Sequence, residues 1–332
     1  MSHFKRFRYY SEYITLRLLA WIIQCLPWPW LRPLGRFLGS LFFHFDHHRQ
    51  AVALANLEAA FGEKYDPKTR LQITQKSYGI FATTMLELLW SPRLTPTIMD
   101  EIATIDVLDP RSSPNNENIS AIYCCLHAAN FEWTGQIAAR YTKKFPVIAQ
   151  KFKNPFLGHL FNTWRSSLGQ EVIAQEQAML KLFRYLRKGG KFGILIDLNL
   201  KPNEGPILVR TFDRLIIPLT PLPAELALRT GALLVPVECL IRTQGGYHLR
   251  FLPPIPITGK SNVASLTQAL WSSLEAGIQA HPEYWLWSYK HWRYRPSYEK
   301  TDHYPFYANY YEPFDQLFLE QQKKYCDSSP YL

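Results

Sequence analysis

Apolar residues recur along this chain in two ways, as short continuous runs and as longer stretches with helical spacing. The run at 119–126 is rich in β-branched and aromatic residues, which predicts a buried strand. Further predicted strands lie at 145–149, 192–197, 233–240 and 247–252. Predicted helices lie at 131–141, 155–168, 175–188, 221–230 and 262–280. This alternation predicts an α/β fold with a mixed, partly parallel central sheet flanked by helices on both faces.

Two apolar segments precede this region, at 14–26 and 31–45, and prolines separate them. A helix over 14–26 would reach about 20 Å, short of the roughly 30 Å hydrocarbon core of a bilayer. Three interpretations remain: one anchor lengthened by its flanks, a hairpin dipping into one leaflet, or two buried helices of a soluble domain. Arg, Lys, Trp and Tyr in the flanks favour the membrane. We therefore predict an N-terminal helical membrane-anchoring region over residues 1–45.

The rest of the chain is predicted to form one catalytic domain and a tail. A helix over 46–61 ends at Gly62, and Asp66 suits the N-cap of a helix that runs to about residue 89. With the α/β region, these helices complete a predicted catalytic domain over 46–300. Residues 301–332 are predicted to form a C-terminal tail.

Composition narrows the classes of partner. The chain has 37 Lys and Arg against 27 Asp and Glu, a net charge of +10, which suggests nucleic acid, anionic lipid or an acidic protein. Aromatic residues make up 15% of the chain and Trp clusters near both ends, which favours a membrane interface. No helix-turn-helix, zinc-finger or RNA-recognition signature occurs, so we expect no nucleic-acid partner. The five cysteines lack metal-ligand spacing. We expect neither a metal nor a bound cofactor.

A histidine and an acid flank the junction between the 119–126 strand and the next helix. His127 stands at the strand end, Asn130 suits the helix N-cap, and Glu132 falls in the first turn. Residues five apart on one helix point about 140° away from each other, so this pair meets only if the chain turns. A neutral imidazole can remove a hydroxyl proton while a carboxylate on its other nitrogen stabilises the imidazolium. A buried histidine beside a helix-start acid would give the same spacing without any such chemistry.

Other candidates follow strands or precede helices. Asp197 ends the 192–197 strand, so it could replace or assist Glu132 as the partner of His127. Arg165 could bind a phosphate or the oxyanion of a thioester carbonyl under attack, although a surface salt bridge is the alternative. Lys153 lies between a predicted strand and a predicted helix.

The segment from His127 to Glu132 resembles the His-x4-Asp/Glu motif of glycerolipid-type acyltransferases. Its surroundings, over roughly 12–296, resemble the late (lauroyl/myristoyl) acyltransferases of lipid A biosynthesis. Matching stretches run from Arg49 to Gly62, Leu180 to Asp197, Thr220 to Pro236 and Pro282 to Arg293. Two stretches depart from the pattern: 197–199 is Asp-Leu-Asn where many relatives have Asp-Gln, and 211–213 is Thr-Phe-Asp where they have Phe-Phe-Gly.

The resemblance implies a glycerolipid acyltransferase-like fold and a site. His127 would be the general base and Glu132 its orienting acid. The implied substrate-binding residues are Asn130, Arg165, Asp197, Lys153 and Thr220. No Gly-x-Ser-x-Gly nucleophile motif occurs, so we expect direct transfer without an acyl-enzyme.

It also implies a reaction and a location. A fatty acyl chain would pass from an acyl carrier protein thioester to a hydroxyl of a lipid A precursor, an anionic glycolipid. The acyl transfer would take place at the cytoplasmic face of a bacterial inner membrane. Two alternatives remain: the same fold acting on another glycolipid or phospholipid, and a non-enzymatic basic protein that binds membrane or nucleic acid.

Overall fold

The computed structural model describes residues 3–142, 144–149, 151–174, 178–297 and 301–325. Its helices are α1 (His3–Gln24), α2 (Trp28–Phe45), α3 (His47–Phe61), α4 (Pro67–Trp90), α5 (Pro96–Ile102), α6 (Phe131–Ala139), α7 (Pro155–Arg165), α8 (Ala178–Leu186), α9 (Leu222–Thr230), α10 (Val263–Ala280) and α11 (Glu312–Tyr325). Its strands are β1 (Ala103–Val107), β2 (Ala121–Cys125), β3 (Phe145–Ala149), β4 (Gln170–Ala174), β5 (Lys191–Leu195), β6 (Ile207–Thr211), β7 (Leu215–Leu219), β8 (Leu233–Ile241), β9 (Tyr247–Phe251), β10 (Tyr294–Arg295) and β11 (Asn309–Tyr310).

A seven-stranded sheet forms the centre of the molecule, in the order β1-β9-β8-β2-β5-β3-β4. Strands β8 and β9 pair antiparallel, and every other neighbouring pair in this sheet is parallel. Buried apolar side chains lie on both faces, as they must when helices cover a mostly parallel sheet. The predicted α/β fold with a mixed, partly parallel sheet is confirmed.

Several elements were not predicted. They include β1 and β4 at the two edges of the sheet, the antiparallel hairpin of β6 and β7, and α11 in the predicted tail. The predicted helix over 175–188 corresponds to α8, and residues 175–177 lie outside the described part of the chain.

The N-terminal helices pack closely on α4. A Cβ added at Gly35 would lie 2.2 Å from Thr83 Oγ1, and one at Gly39 would lie 2.4 Å from the Cα of Gly79. The two backbones can approach this far only because glycine has no side chain. Ala20, Ile23 and Leu31 enter the same apolar core as the sheet residues Tyr123 and Val235. The predicted 1–45 region therefore packs into the same core as residues of the central sheet.

The opposite face of this helix pair is exposed and apolar. Large side chains on it include Phe4, Phe7, Trp21, Trp30 and Phe37, each more than 60% exposed. Within the described ranges, no helix combines the length and the apolarity needed to cross a bilayer. An exposed patch of this kind is typical of a surface that meets another apolar phase.

Candidate active site

The sheet topology brings His127 and Asp197 together. Strands β2 and β5 are parallel neighbours with Cys125 opposite Leu195, and each of the two polar residues follows its strand by two positions. Their Nδ1 and Oδ1 atoms lie 2.7 Å apart. The backbone N–H of His127 also donates to the Asp197 carboxylate, at 3.0 and 3.1 Å to its two oxygens. The acid therefore fixes both the backbone and the ring of His127.

Asp197 is fully buried, and its carboxylate is well supplied with donors. Trp285 Nε1 donates to Oδ2 at 2.8 Å. Burial alone would raise the pKa of Asp197, but the charge of His127 and its hydrogen bond outweigh burial and lower that pKa to about 2. Nearby His291 stacks on Trp285, and burial lowers the pKa of His291 to about 4. His291 is therefore neutral at pH 7.

The arrangement suits a general base. Nδ1 of His127 is occupied by Asp197, so a neutral ring carries its proton there and leaves Nε2 as a proton acceptor. No described residue is hydrogen bonded to Nε2 of His127. The ring is 14% exposed and lines a large cavity, so Nε2 can receive a proton from a bound hydroxyl.

Glu132 contacts a different partner from the one expected. Its carboxylate makes a two-point contact with Arg165, at 2.8 Å to Nε and 2.6 Å to Nη2. The chain turns sharply at Ala129, whose φ is 47°, so the His127 ring faces β5 while Glu132 faces α7. The expectation that Glu132 orients His127 is corrected: the acid on the imidazole is Asp197, the alternative partner named from the sequence.

The Glu132–Arg165 pair is itself an electrostatic feature of the site. Burial would lower the pKa of Arg165, but the hydrogen bonds and charge of Glu132 raise it above its usual value. Both residues line the cavity while remaining largely buried. A buried pair of this geometry needs both members, because removal of one leaves an uncompensated charge.

Asn130 is structural in this fold. It is fully buried, and its Oδ1 accepts from the backbone N–H of Trp133 at 2.8 Å, which caps α6. Its Nδ2 donates to Glu87 at 2.6 Å. Asn130 therefore does not face the cavity, and the expectation that it binds substrate is corrected.

Glu87 on α4 is a residue that sequence reasoning missed. Its buried carboxyl accepts hydrogen bonds from Asn130, from Trp28 Nε1 at 2.9 Å and from the Tyr247 hydroxyl. Burial raises the pKa of Glu87 to about 7, against the effect of these hydrogen bonds. The sequence does carry a signal for this residue, since Glu87 interrupts an apolar helical stripe. An acid in such a position is expected to be buried, and a buried acid needs hydrogen-bond partners.

The cavity beside His127 has a volume of about 760 Å³. One part lies against the sheet and α6 and is walled by apolar side chains, among them Tyr123, Phe145 and Phe251. Besides Arg165, the basic side chains that line the cavity are Lys151, Lys201 and Arg293. A volume of this size with a mainly apolar wall and a few polar groups is typical of a ligand pocket.

Two remaining candidates occupy different positions. Thr220 lines the cavity, and its Oγ1 accepts from the backbone N–H of Leu222 at 3.3 Å at the start of α9. Lys153 is exposed and does not line the cavity, whereas Lys151, two residues earlier, does. Of these two lysines, Lys151 is therefore the one that contacts the cavity.

The described part of the chain holds no metal-binding cluster, and the two cysteines that precede His127 are protonated thiols. No group of three His, Cys, Asp or Glu side chains there could bind a metal ion. Cys25, Cys124, Cys125 and Cys239 are free thiols, and Cys326 lies outside the described residues. Burial raises the pKa of both Cys124 and Cys125 far above the usual value, so neither is a thiolate at neutral pH.

Known proteins resemble this chain over most of its length. The family model of bacterial lipid A biosynthesis acyltransferases matches residues 1–294. A lipid A biosynthesis lauroyltransferase of Escherichia coli K12 is 24% identical over 298 residues, which cover 87% of this chain and 93% of that protein.

Two mycobacterial proteins match a shorter part. A phosphatidylinositol mannoside acyltransferase of Mycobacterium tuberculosis is 25% identical over 182 residues, covering 50% of this chain and 52% of the relative. One of Mycolicibacterium smegmatis is 26% identical over 188 residues, covering 56% and 60%. The match thus spans little more than half the length of these mycobacterial relatives. The family match over residues 1–294 decides the class: the chain belongs to the bacterial lipid A biosynthesis acyltransferases and is an acyltransferase.

Proposed function

We propose that the protein transfers a fatty acyl chain from an acyl carrier protein thioester to a hydroxyl of a lipid A precursor, with His127 as general base. The observation that carries this proposal is the His127–Asp197 pair at the edge of a cavity with an apolar part and basic side chains. The name of the Escherichia coli relative supports a lipid A precursor as acceptor.

In the proposed reaction Nε2 of His127 removes the proton of the acceptor hydroxyl. The oxygen attacks the thioester carbonyl, the carbon–sulfur bond breaks, and the carrier thiol leaves with the proton from His127. Asp197 keeps Nδ1 protonated and stabilises the imidazolium between these two steps. No cofactor and no acyl-enzyme take part.

Arg165 is the proposed anion-binding group. Its Nε and Nη2 contact Glu132, which orients the guanidinium and leaves Nη1 free of that pairing. The oxyanion that forms on the thioester carbonyl would be stabilised by such a preorganised donor. Glu132 then supports catalysis through Arg165 and not through His127.

The apolar and the basic lining of the cavity suit the two substrates. The apolar part beside Tyr123, Phe145 and Phe251 fits an acyl chain, while Lys151, Lys201 and Arg293 fit an anionic acceptor. The net charge of +10 would also attract an acidic carrier protein.

We further propose that the exposed face of α1 and α2 lies in the cytoplasmic leaflet of a bacterial inner membrane. Trp21, Trp30 and Phe37 are the aromatic anchors, and Lys5, Arg6 and Arg8 lie beside them in sequence. Sedimentation with anionic vesicles at low and high salt tests this, because burial of apolar side chains is not screened by salt. Release of the protein by salt alone would refute insertion of the aromatic face.

A second acceptor class has specific support. The mycobacterial relatives are named for a mannosylated phosphatidylinositol, which is also an anionic glycolipid. Labelled dodecanoyl-acyl carrier protein should therefore be tested in parallel with a bisphosphorylated, acylated glucosamine disaccharide and with phosphatidylinositol mannoside. The acceptor that receives label with the higher kcat/KM identifies the class.

The mechanism is tested by His127→Ala, with His159→Ala as the matched control, since His159 is exposed on α7. We expect His127→Ala to lose roughly 10²–10⁴-fold in kcat. The variant should still fold, with a lower melting temperature because the buried Asp197 carboxylate loses a partner. Wild-type turnover in a folded His127→Ala protein would refute the general-base role.

A further inference from the structure

The C-terminal segment, defined here as residues 301–325, lies beyond the range matched by the family model, which ends at 294. It is ordered as β11 and α11 and packs into the molecule through Phe314 and Phe318, which are 0% and 5% exposed. Their apolar partners are Leu208 and Ile216 on the β6–β7 hairpin. This segment contacts two stretches of chain that line the cavity beside His127.

The first contact is made by Gln321, which is 4% exposed. Its Nε2 donates to the carbonyl of Pro206 at 2.8 Å, and its Oε1 accepts from the N–H of Leu208 at 3.0 Å. Helix α11 also packs against the turn at 202–204. That turn follows Lys201, which lines the cavity, so Gln321 secures the end of the Lys201 loop.

The second contact secures the stretch around Arg293. Strand β11 pairs with β10 in parallel, and the N–H of Asn309 donates to the carbonyl of Arg293 at 2.9 Å. The ring of Tyr311 stacks on Tyr294, with centroids 5.3 Å apart. Arg293 and Tyr294 both line the cavity. The C-terminal segment therefore contacts both stretches that carry these cations.

Lys201 and Arg293 have charge available for a ligand. Within the described ranges, neither forms an ion pair with a carboxylate. Arg293 lies 5.2 Å from the ring centroid of Tyr289, and the carboxylate of Glu204 accepts from the backbone N–H of Lys201. Two side-chain cations on one cavity are suited to a phosphate or another anionic group.

We propose that the C-terminal segment determines acceptor selection by keeping Lys201 and Arg293 in position around the anionic headgroup of the acceptor. This rests on the proposed acyl transfer, and it adds an element that lies outside the family match. The donor thioester and the His127–Asp197 pair would not depend on it, because His127 and Asp197 are positioned by β2, β5 and Trp285.

The test replaces Gln321 by Met, which keeps the volume but removes both hydrogen bonds. Gln316→Met is the matched control, since Gln316 is an exposed glutamine on the same helix. Both proteins are assayed at full length with dodecanoyl-acyl carrier protein and the bisphosphorylated, acylated glucosamine disaccharide. We expect Gln321→Met to raise the acceptor KM roughly three- to tenfold, with kcat and the donor KM within about twofold of wild type. Gln316→Met should match the wild type.

A second readout separates selection from simple destabilisation. The ratio of kcat/KM for the phosphorylated disaccharide to that for phosphatidylinositol mannoside should change in Gln321→Met, which a merely less stable protein would not show. If Gln321→Met does not fold, Gln321→Glu carries the test, because it keeps the acceptor for Leu208 and loses only the donor to Pro206. An unchanged acceptor KM and an unchanged ratio in a folded variant would overturn the inference. Wild-type protein that transfers to neither acceptor would instead refute the proposed function.

Discussion

The replacement Asp197→Asn isolates the contribution of the carboxylate to His127. Asn has the same shape but only one acceptor oxygen, whereas the buried Asp197 carboxylate accepts from His127 Nδ1, the His127 backbone and Trp285. The side-chain nitrogen of Asn is a donor, so it cannot accept a hydrogen bond from any of these N–H groups. The ring of His127 would then lose the contact that keeps the proton on Nδ1.

The size of the effect can be worked from the pKa of Asp197. A pKa lowered from 3.8 to about 2 corresponds to roughly 2 kcal/mol of stabilisation of the charged form. Because the folded pKa lies below the unfolded one, this stability is fully present above pH 4 and is lost as pH falls toward 2. Asp197→Asn should therefore unfold about 2 kcal/mol more easily at pH 7, and the difference should shrink at acid pH. Loss of tautomer control and imidazolium stabilisation should lower kcat by roughly 10²–10⁴-fold.

The assay is transfer of labelled dodecanoyl chains from acyl carrier protein at saturating acceptor, combined with denaturant unfolding. Glu132→Gln is the comparison, because Glu132 pairs with Arg165. Removing that charge leaves Arg165 largely buried and unpaired, so stability should fall by about 3–5 kcal/mol. The kcat should fall as well, because Glu132 no longer orients Arg165. A wild-type kcat in Asp197→Asn would refute the assignment of Asp197 as the partner of His127.

Three further predictions follow from other parts of the site. Cys125→Ser should keep activity, and mass spectrometry of the wild type during turnover should find no acyl-protein adduct, because burial keeps this thiol protonated. Trp28→Phe removes a donor from the buried carboxyl of Glu87 and should cost about 1–3 kcal/mol in denaturant unfolding. The exposed neighbour Trp30 offers a control, since Trp30→Phe should cost less than about 0.5 kcal/mol. Phe145→Leu should enlarge the apolar part of the cavity and shift the preference toward longer chains in a competition among acyl carrier protein donors, whereas an unchanged profile would exclude this wall as a length determinant.

The sequence predicts the centre of this fold better than its margins. Strands β2, β3, β5 and β8 are buried and apolar, so their runs stand out from the helices between them. The edge strand β4 begins with Gln170 and Glu171 and is only partly buried. It therefore lacks the continuous apolar run that identifies the central strands. Helix α11 has only a weak pattern of apolar and charged residues. The sequence therefore does not distinguish it from an irregular tail.

The site follows the same division. Both His127 and Asp197 stand at strand ends, and that placement is visible in the sequence. Which acid contacts the imidazole depends on β2 and β5 being neighbours and on the turn at Ala129, and neither is encoded in a local pattern. The three partners of Glu87 are also distant in sequence, so only the folded chain reveals them.

The glycine contacts between α2 and α4 have a consequence for how the enzyme would meet its lipid. Because the backbones touch at Gly35 and Gly39, α2 has little freedom to rotate or slide against the core. If its aromatic face lies in the leaflet as proposed, the height and tilt of the whole molecule above the bilayer are set by that crossing. The distance from the membrane surface to Nε2 of His127 is then fixed by the fold. An acceptor would be acylated only if its hydroxyl projects to that height while its existing chains stay in the membrane.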